Sequence, residues 1–98
     1  LMYINENYMN PITLTSLSER FYVNPSYLSR IFKEVTGFSF IEYINGVRVK
    51  EAMKLLRESK LNATYVAERV GFESTTHFGR VFKAETGVSP LKYRKSRA

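Results

Sequence analysis

Residues 39–59 read SFIEYINGVRVKEAMKLLRES, and the sequences on either side of this stretch are two versions of one pattern. Ser39 and Glu42 form the S-x-x-E signature of a capping box, in which each side chain binds a backbone amide of the first helical turn. Apolar residues follow at steps of mostly three and four, which predicts one long helix of about 30 Å with Gly46 as its weak point. The apolar face expected to be buried comprises Ile41, Ile44, Val47, Ala52, Leu55 and Leu56.

Composition limits the kind of protein that this chain can form. Its 98 residues include no cysteine and one histidine, which leaves no disulfide, no cysteine zinc site and no thiol nucleophile. No apolar run approaches the ~18 residues of a membrane span, and residues 1–10 have no leader pattern. We therefore expect a soluble, cytoplasmic protein without metal, cofactor or membrane contact. Because the chain opens on Leu1, we also expect a piece of something longer, although a trimmed chain would look the same.

The chain is basic, with a net charge of +6 at pH 7 and a pI near 9.7. Residues 1–38 hold three basic and three acidic side chains, residues 39–61 hold five and three, and residues 62–98 hold seven and three. Basic proteins attract polyanions, so nucleic acid is a candidate partner, but an ordinary basic surface has the same composition. If phosphates are bound, the contacts should be stronger in the C-terminal third.

Three shorter helices are predicted before the long one. The first covers about residues 2–9 and the second about residues 14–22, each with apolar residues at helical spacing. Asn24 followed by Pro25 is a strong start signal for the third helix, because proline lacks the amide that would have no partner there. Gly37 suits a left-handed C-cap and should end that helix.

The predicted third helix has two different faces. Its apolar face, expected to lie in the core, comprises Tyr27, Leu28, Ile31, Phe32 and Val35. Its opposite face is small, polar and basic, and comprises Ser26, Ser29, Arg30 and Lys33. Two amphipathic helices joined by a turn of three or four residues form a helix-turn-helix, in which the second helix enters the major groove of DNA.

The same pattern returns after the long helix. Asn62 is a predicted N-cap, and Gly71 begins a turn. Ser74 then caps a further helix that ends at Gly87, before a last helix from Pro90. The apolar face of the helix after Ser74 comprises His77, Phe78, Val81 and Phe82, and its polar face comprises Thr75, Thr76, Gly79, Arg80 and Lys83.

Residues 26–43 and 76–93 are identical at seven of eighteen aligned positions. The identical pairs are Arg30 with Arg80, Phe32 with Phe82, Lys33 with Lys83, Thr36 with Thr86, Gly37 with Gly87, Ser39 with Ser89 and Tyr43 with Tyr93. Upstream, Glu19-Arg20 matches Glu68-Arg69 at an offset of forty-nine, so the second turn should be one residue longer. Packing and capping explain the phenylalanine and glycine matches, whereas an exposed arginine has no packing reason to recur.

We therefore predict an all-α fold of about seven helices, built from two helix-turn-helix units. The first unit is expected at residues 1–38, the linker helix at residues 39–59 and the second unit at residues 60–98. His77 aligns with Tyr27 and is expected to be half-buried rather than a base contact. The aromatic residues expected in the core are Tyr22, Tyr27, Phe32, Phe38, Phe72, Phe78 and Phe82.

The whole chain resembles the DNA-binding domain of the AraC/XylS family of bacterial transcription regulators. The most specific match is VAERVGF at residues 66–72, followed by GVSP at residues 87–90. The first unit and the linker match at Leu28, Arg30, Phe32, Lys33, Thr36, Gly37, Arg48, Ala52, Leu55 and Leu56. The resemblance implies two homeodomain-like units on a rigid linker helix that read successive major-groove segments of double-stranded promoter DNA, and recruitment of RNA polymerase as an activator.

The resemblance also implies which residues contact DNA. Base-edge contacts fall to Ser26, Ser29, Arg30, Thr75, Thr76, Gly79 and Arg80. Phosphate contacts fall to Lys33 and Lys83, to the helix N-termini at Asn24, Asn62 and Ser74, and to Arg94 and Lys95. Arginine suits guanine O6 and N7, while the other base-contact positions are hydroxyls or glycine, so reading should rest on Arg30 and Arg80.

Other function classes stay open at this point. A helical protein-interaction module would use the same basic face for charge alone, so Arg→Lys exchanges should separate it from a base-reading protein. An enzyme is disfavoured, because the sequence has no nucleophile–base pair, metal cluster or glycine-rich phosphate loop.

A preceding N-terminal part, if present, would carry sensing and dimerisation. The resemblance admits a sugar-binding pocket, a phosphorylated receiver domain as in YesN-like response regulators, or neither. The phrases YLSRIFK at residues 27–33 and GFSF at residues 37–40 favour the receiver type. We expect the domain by itself to be monomeric, and the longer protein to dimerise through that part.

Overall fold

The computed structural model describes residues 1–97, with side chains through Ser96, so that Ala98 of the predicted second unit lies outside the described residues. Seven helices follow one another: α1 Met2–Asn7, α2 Leu14–Arg20, α3 Pro25–Thr36, α4 Phe40–Glu58, α5 Ala63–Val70, α6 Thr75–Thr86 and α7 Pro90–Arg97. The described chain is all-helical, as predicted. Helices α1 and α2 each end two residues earlier than expected, whereas α3 ends at the predicted residue.

Local capping interactions set the ends of the central helices. The Asn24 side-chain oxygen accepts hydrogen bonds from the amides of Ser26 and Tyr27, at 2.8 and 3.2 Å. The predicted capping box of α4 is present, with Glu42 N to Ser39 Oγ at 3.2 Å and Ser39 N to Glu42 Oε1 at 3.0 Å. These bonds satisfy amides that have no partner inside their own helix.

Helix α4 is shared by two hydrophobic cores. The first core comprises Ile4, Leu17, Phe32, Phe40 and Ile44. The second core comprises Val49, Ala52, Leu56, Val66, Ala67, Val70, Phe72, Phe78, Phe82 and Tyr93. The N-terminal half of α4 packs in the first core and its C-terminal half in the second, while Tyr8 packs against both. The molecule is accordingly elongated, with extents of 45 × 22 × 21 Å.

The buried face of α4 differs from the predicted one. Phe40 and Val49 are buried, whereas Ile41 is 61% exposed and Val47 is only partly buried. The cause is that α4 serves two cores, each of which covers only part of its circumference. A single apolar stripe along the whole helix is therefore not required.

Both helix-turn-helix turns begin with the same closing hydrogen bond, the Schellman motif of a helix C-terminus. The bonds run from Val23 N to Ser18 O and from Phe72 N to Ala67 O, both at 2.9 Å. The left-handed residue of the motif is Tyr22 in the first turn, at φ 56°, and Gly71 in the second, at φ 101°. One extra residue, Glu73, then precedes the next N-cap, which confirms the predicted difference in turn length.

Several aromatic and apolar residues expected in the core lie at the surface. Phe32, Phe72, Phe78 and Phe82 are buried as predicted. Exposed instead are Tyr22, Tyr27, Val35 and Phe38. Tyr22 and Phe38 lie outside the helices. Of the apolar residues of α3, Phe32 is buried and Leu28 and Ile31 are partly buried, so the buried strip is narrower than the predicted apolar face.

Candidate nucleic-acid interface

The side chains predicted to contact bases lie on the outer faces of α3 and α6. Exposed members of this set are Ser26, Ser29, Arg30, Thr75, Thr76 and Arg80, and Gly79 is partly buried. On each helix these positions are spaced by three or four residues or are adjacent to such a position, so they share one surface. Lys33 and Lys83 extend the two surfaces by one turn and are exposed.

Two of the seven repeated identities lie at the C-terminal ends of α3 and α6. Thr36 Oγ1 lies 2.8 Å from Phe32 O and accepts a hydrogen bond from Phe38 N at 3.0 Å. Thr86 makes the equivalent contacts, to Phe82 O at 2.8 Å and from Val88 N at 3.3 Å. The glycines that follow, Gly37 and Gly87, are left-handed C-caps at φ 81° and 88°.

Three further identities pack or cap in both units. The rings of Phe32 and Tyr43 are edge-to-face with centroids 5.3 Å apart, and those of Phe82 and Tyr93 are 5.6 Å apart. Ser39 and Ser89 each accept a hydrogen bond from the amide three residues later, at 3.2 Å. Five of the seven identities are therefore explained by folding alone.

The other two identities are Arg30 with Arg80 and Lys33 with Lys83. All four side chains are exposed, and none donates a hydrogen bond to any other residue that the structure describes. The Arg30 guanidinium lies 5.6 Å from the ring centroid of Tyr27, a cation–π contact that holds it beside α3. Lys33 and Lys83 each lie in the last turn of their helix, where a cation suits the helix dipole, and Lys33 also lies near Glu42. Folding gives no such reason for the recurrence of the two exposed arginines.

Gly79 is a further residue that folding does not explain. It lies in the middle of α6, where glycine costs about 1 kcal/mol relative to alanine. Among the described residues, a Cβ at this position would have no atom of another element within 4 Å, so no neighbouring element requires its absence. A glycine here lets another molecule approach the helix backbone closely.

Six of the seven predicted phosphate-binding residues are of two kinds. Lys33, Lys83 and Lys95 are exposed cations. Asn24, Asn62 and Ser74 use their side-chain oxygens for N-capping; Asn62 accepts from Tyr65 N and Ser74 from His77 N, both at 3.0 Å. At these helix ends an anion would meet the remaining backbone amides and the positive end of the helix dipole, not the capping side chains.

Arg94 has a structural role that the sequence does not reveal. Its Nε–H donates to Leu56 O at 3.0 Å, and its Nη2 donates to Ser59 O at 3.2 Å. These carbonyls lie at the C-terminal end of α4, where backbone acceptors have no helical partner. Arg94 thus fastens α7 to α4, and its predicted phosphate contact stays a prediction.

His77 is exposed, so the expectation of a half-buried residue is wrong. Its ring stands edge-on to Phe72 with centroids 5.6 Å apart, because Phe72 fills the core position beside it.

Thr75 Oγ1 lies 3.4 Å from Thr64 Oγ1 on α5, so this hydroxyl has a partner within the protein as well as an exposed position.

Among the described residues, no group of three or more histidine, cysteine or acidic side chains is placed to hold a metal ion. None of the described helices is long and apolar enough to span a membrane.

Comparisons with known proteins point to one group of relatives. A family model described as "Helix-turn-helix domain" matches residues 17–96. The chain is 39% identical over 94 residues to the multiple antibiotic resistance protein MarA of Salmonella typhimurium, a match that covers 96% of this chain and 74% of MarA.

Two solved structures with the same arrangement of helices are especially similar to this chain. The C-terminal domain of AraT, a response regulator from Geobacillus stearothermophilus, has a TM-score of 0.95 at 38% identity and covers 98% of this chain and 80% of that chain. The DNA-binding domain of AdpA, solved in complex with a target DNA, has a TM-score of 0.93 at 27% identity and covers 97% of this chain and 86% of that chain.

The chain spans about a third of the length of other curated relatives that it matches. It is 37% identical to two helix-turn-helix regulators, from Escherichia coli and Bacillus subtilis, and spans 33% and 32% of their lengths.

Proposed function

Because the chain belongs to the AraC-type helix-turn-helix domain family and binds double-stranded DNA sequence-specifically as part of a transcription regulator, we propose that α3 and α6 read successive major-groove segments of a bacterial promoter. The observation that carries this proposal is the recurrence of exposed Arg30 as Arg80, for which folding gives no reason.

The proposed base contacts follow from the chemistry of the outer faces of α3 and α6. Arg30 and Arg80 can each donate two hydrogen bonds to guanine O6 and N7. The hydroxyls of Ser26, Ser29 and Thr76 can serve any base, and Gly79 lets the α6 backbone lie close to the groove. Thr75 is available through its methyl group, because its hydroxyl already lies near Thr64.

Phosphate contacts would fix the position of each recognition helix. In this proposal Lys33, Lys83 and Lys95 neutralise phosphates, and the amides at the N-termini of α3, α5 and α6 bind others. We propose the functional division as residues 1–38, 39–59 and 60–98; in its favour, two separate hydrophobic cores meet on α4.

At the level of the whole regulator, we propose an activator that contacts RNA polymerase and works in the cytoplasm. The 98-residue domain is monomeric in this proposal, and dimerisation belongs to another part of the regulator. The high structural similarity of this 98-residue chain to the C-terminal domain of the response regulator AraT supports a phosphorylated receiver domain as the sensing part.

The test is selection of bound sequences from a random duplex pool at fixed salt, with the wild type, Arg30→Ala and Arg80→Ala. We expect the wild type to yield two short motifs about one helical turn, or about 10 base pairs, apart. Each variant should lose information in one motif, because each arginine reads one half-site.

Arg30→Lys and Arg80→Lys distinguish base reading from attraction between charges. Loss of a bidentate contact should cost about 1 to 3 kcal/mol of discrimination at one base pair, although the charge is kept. Lys54→Ala, which removes an exposed cation from α4, is the matched control and should keep both motifs. If no motif emerges and Arg→Lys changes nothing, the surface is a non-specific or protein-directed basic patch and the proposal is wrong.

A further inference from the structure

The two helix-turn-helix units touch at a junction centred on Arg48 of α4. Its Nε–H donates to Tyr8 O at 2.8 Å and its Nη2 donates to Asn10 O at 3.0 Å, so it grips the loop between α1 and α2. The same guanidinium lies 5.7 Å from the ring centroid of Phe72, which belongs to the turn of the second unit. One side chain thus contacts the backbone of the first unit and a core ring of the second.

Arg48 occupies a position on α4 that packing would otherwise give to an apolar residue. The row of side chains four residues apart along α4 is Phe40, Ile44, Arg48, Ala52 and Leu56, and the other four members are buried in one core or the other. Arg48 therefore lies at the boundary between the cores, where it is partly buried. Burial lowers its pKa, while nearby Glu73 raises it, and a cation in this environment is stable only with good hydrogen-bond acceptors.

Gly71 shows how closely the units approach each other. A Cβ at this position would lie 2.7 Å from Tyr8 O, 3.0 Å from Arg48 Nε and 3.0 Å from Met9 Cα. The backbone of the second turn therefore rests directly on the α1–α2 loop and on the arginine that grips it. In the first unit the corresponding left-handed residue is Tyr22, which is 94% exposed because no unit packs against that turn.

Helix α4 is the other connection between the units, and it is weakest near the same place. Gly46 lies two residues before Arg48, and a Cβ there would have no atom of another described element within 4 Å. Glycine is the poorest helix former after proline, so this part of α4 resists bending less than the rest. The contacts of Arg48 with the α1–α2 loop and Phe72 therefore hold the two units together where α4 itself resists bending least.

We propose that Arg48 is a positioning residue that fixes the angle between α3 and α6, and thereby the spacing of the two half-sites that the domain binds. Arg48 does this without touching DNA in this proposal. The claim about the angle stands on the junction alone, whereas the claim about spacing rests on the proposed function.

The angle can be tested in the free protein. The sequence has no cysteine, so Glu34→Cys on α3 and Ala84→Cys on α6 place two unique spin labels at equivalent exposed positions. We expect double electron–electron resonance to give a narrow distance distribution in the otherwise unchanged protein and a clearly broader or shifted one with Arg48→Ala. Lys54→Ala removes the same charge from the same helix and should leave the distribution narrow. An unchanged distribution in folded Arg48→Ala overturns the inference.

The spacing can be tested with three duplexes that carry the two selected motifs. In one duplex the motifs have the selected separation, and in the others they are one base pair closer or one base pair further apart. A change of one base pair rotates one motif about the DNA axis by about 34° relative to the other. We expect the wild type to prefer one separation by about tenfold, because a rigid pair of sites binds jointly only when the geometry fits. Arg48→Ala should reduce this preference to about threefold or less while binding a single motif with unchanged affinity.

Two further results keep the test decisive. Arg48→Lys should give an intermediate preference, because an ammonium lacks the fork that reaches both carbonyls. Equal loss of single-motif affinity and spacing preference would show a general loss of structure and would contradict the positioning role. If the wild type selects no motif but Arg48→Ala broadens the label distances, the proposed function fails and the junction's effect on the angle stands.

Discussion

At the scale of single residues, a left-handed conformation has different consequences depending on its surroundings. Gly37, Gly71 and Gly87 all have positive φ, but only Gly71 would clash with other elements if it gained a Cβ. Tyr22 adopts the same conformation in the open turn of the first unit, so the conformation itself does not forbid a side chain. The need for glycine at Gly71 comes from the junction as well as from φ.

Gly71→Ala and Gly87→Ala should therefore destabilise the protein to different extents. Gly87→Ala carries only the left-handed strain, about 1 to 2 kcal/mol. Gly71→Ala adds overpacking against Tyr8 O and Arg48, which typically costs about 1 to 3 kcal/mol more. Urea unfolding of both variants measures the difference in the free energy of unfolding. Equal losses of this free energy would show that the junction accommodates the added methyl group without overpacking.

Gly79→Ala should stabilise the free protein and weaken its complex with DNA. Alanine in mid-helix gains about 0.5 to 1 kcal/mol, because no atom obstructs the new Cβ. The methyl group would hold α6 away from the groove, so we expect affinity for the second motif to fall about tenfold, or 1.4 kcal/mol.

Gly46→Ala is the matched control, since Gly46 also lies in mid-helix with open space around its Cα. It should give the same gain in urea unfolding without loss of affinity for either single motif. Unchanged binding by Gly79→Ala would show that α6 does not approach its ligand at this residue.

At the scale of helices, the sequence predicts best what is decided locally. Asn24, Ser39 and Gly37 mark helix ends correctly, because each acts through atoms within four residues of itself. The Thr36 and Thr86 contacts, which were not predicted, are equally local and could have been read from the repeated Thr-Gly pair.

Which apolar side chains are buried was predicted less well, because burial depends on neighbouring helices. Tyr27 and Val35 fit the apolar stripe of α3 but face solvent, since the small unit covers only part of that stripe. Arg94 could not be assigned from sequence either, because its acceptors on Leu56 and Ser59 lie more than thirty residues away.

The capping box of α4 should make stability depend on pH in acid. The hydrogen bond from the Ser39 backbone lowers the pKa of Glu42 below its ordinary 4.5, with smaller contributions from the Ser39 side chain and nearby Lys33. A lowered folded pKa means that this contribution is present above about pH 4.5 and is lost as the pH falls through the folded value.

Carboxyl titration by NMR should place the midpoint of Glu42 below 4.5. Glu42→Gln should lose this part of the pH dependence of unfolding and differ least from the wild type in strong acid. Glu34→Gln, which removes an exposed carboxylate without a capping bond, should lose less stability at neutral pH. A Glu42 midpoint at or above 4.5 would contradict the capping account.

At the scale of the molecule, the charge distribution and the dimensions are both compatible with binding to two segments of DNA. The net charge is zero over residues 1–38, +2 over residues 39–61 and +4 over residues 62–98. The 45 Å long axis exceeds the ~34 Å that separates major-groove segments on one side of DNA. The size of the molecule therefore permits contact with two such segments.

DNA affinity should fall with salt in proportion to the number of phosphates that the protein neutralises. Lys83→Ala should reduce the slope of log affinity against log salt by about 0.9, and Lys33→Ala should do the same if it contacts one phosphate. Lys54→Ala should leave the slope unchanged. Binding titrations at several salt concentrations provide the measurement. If all three variants have the slope of the wild type, neither Lys33 nor Lys83 contacts a phosphate.

The relative placement of the two units could not be predicted from the sequence. It depends on Arg48 and Tyr8, which are forty residues apart. Neither residue belongs to the repeated stretch, so comparison of the two copies gives no signal for their contact.

The division of α4 between two cores also bears on how the chain unfolds. Phe40 and Ile44 lose their partners when the first core opens, and Ala52 and Leu56 lose theirs when the second opens. Either event leaves half of one helix without tertiary support, and most helical stability in proteins comes from such packing. We therefore expect fraying to spread along α4 from one unit to the other, and the two units to melt in a single cooperative transition.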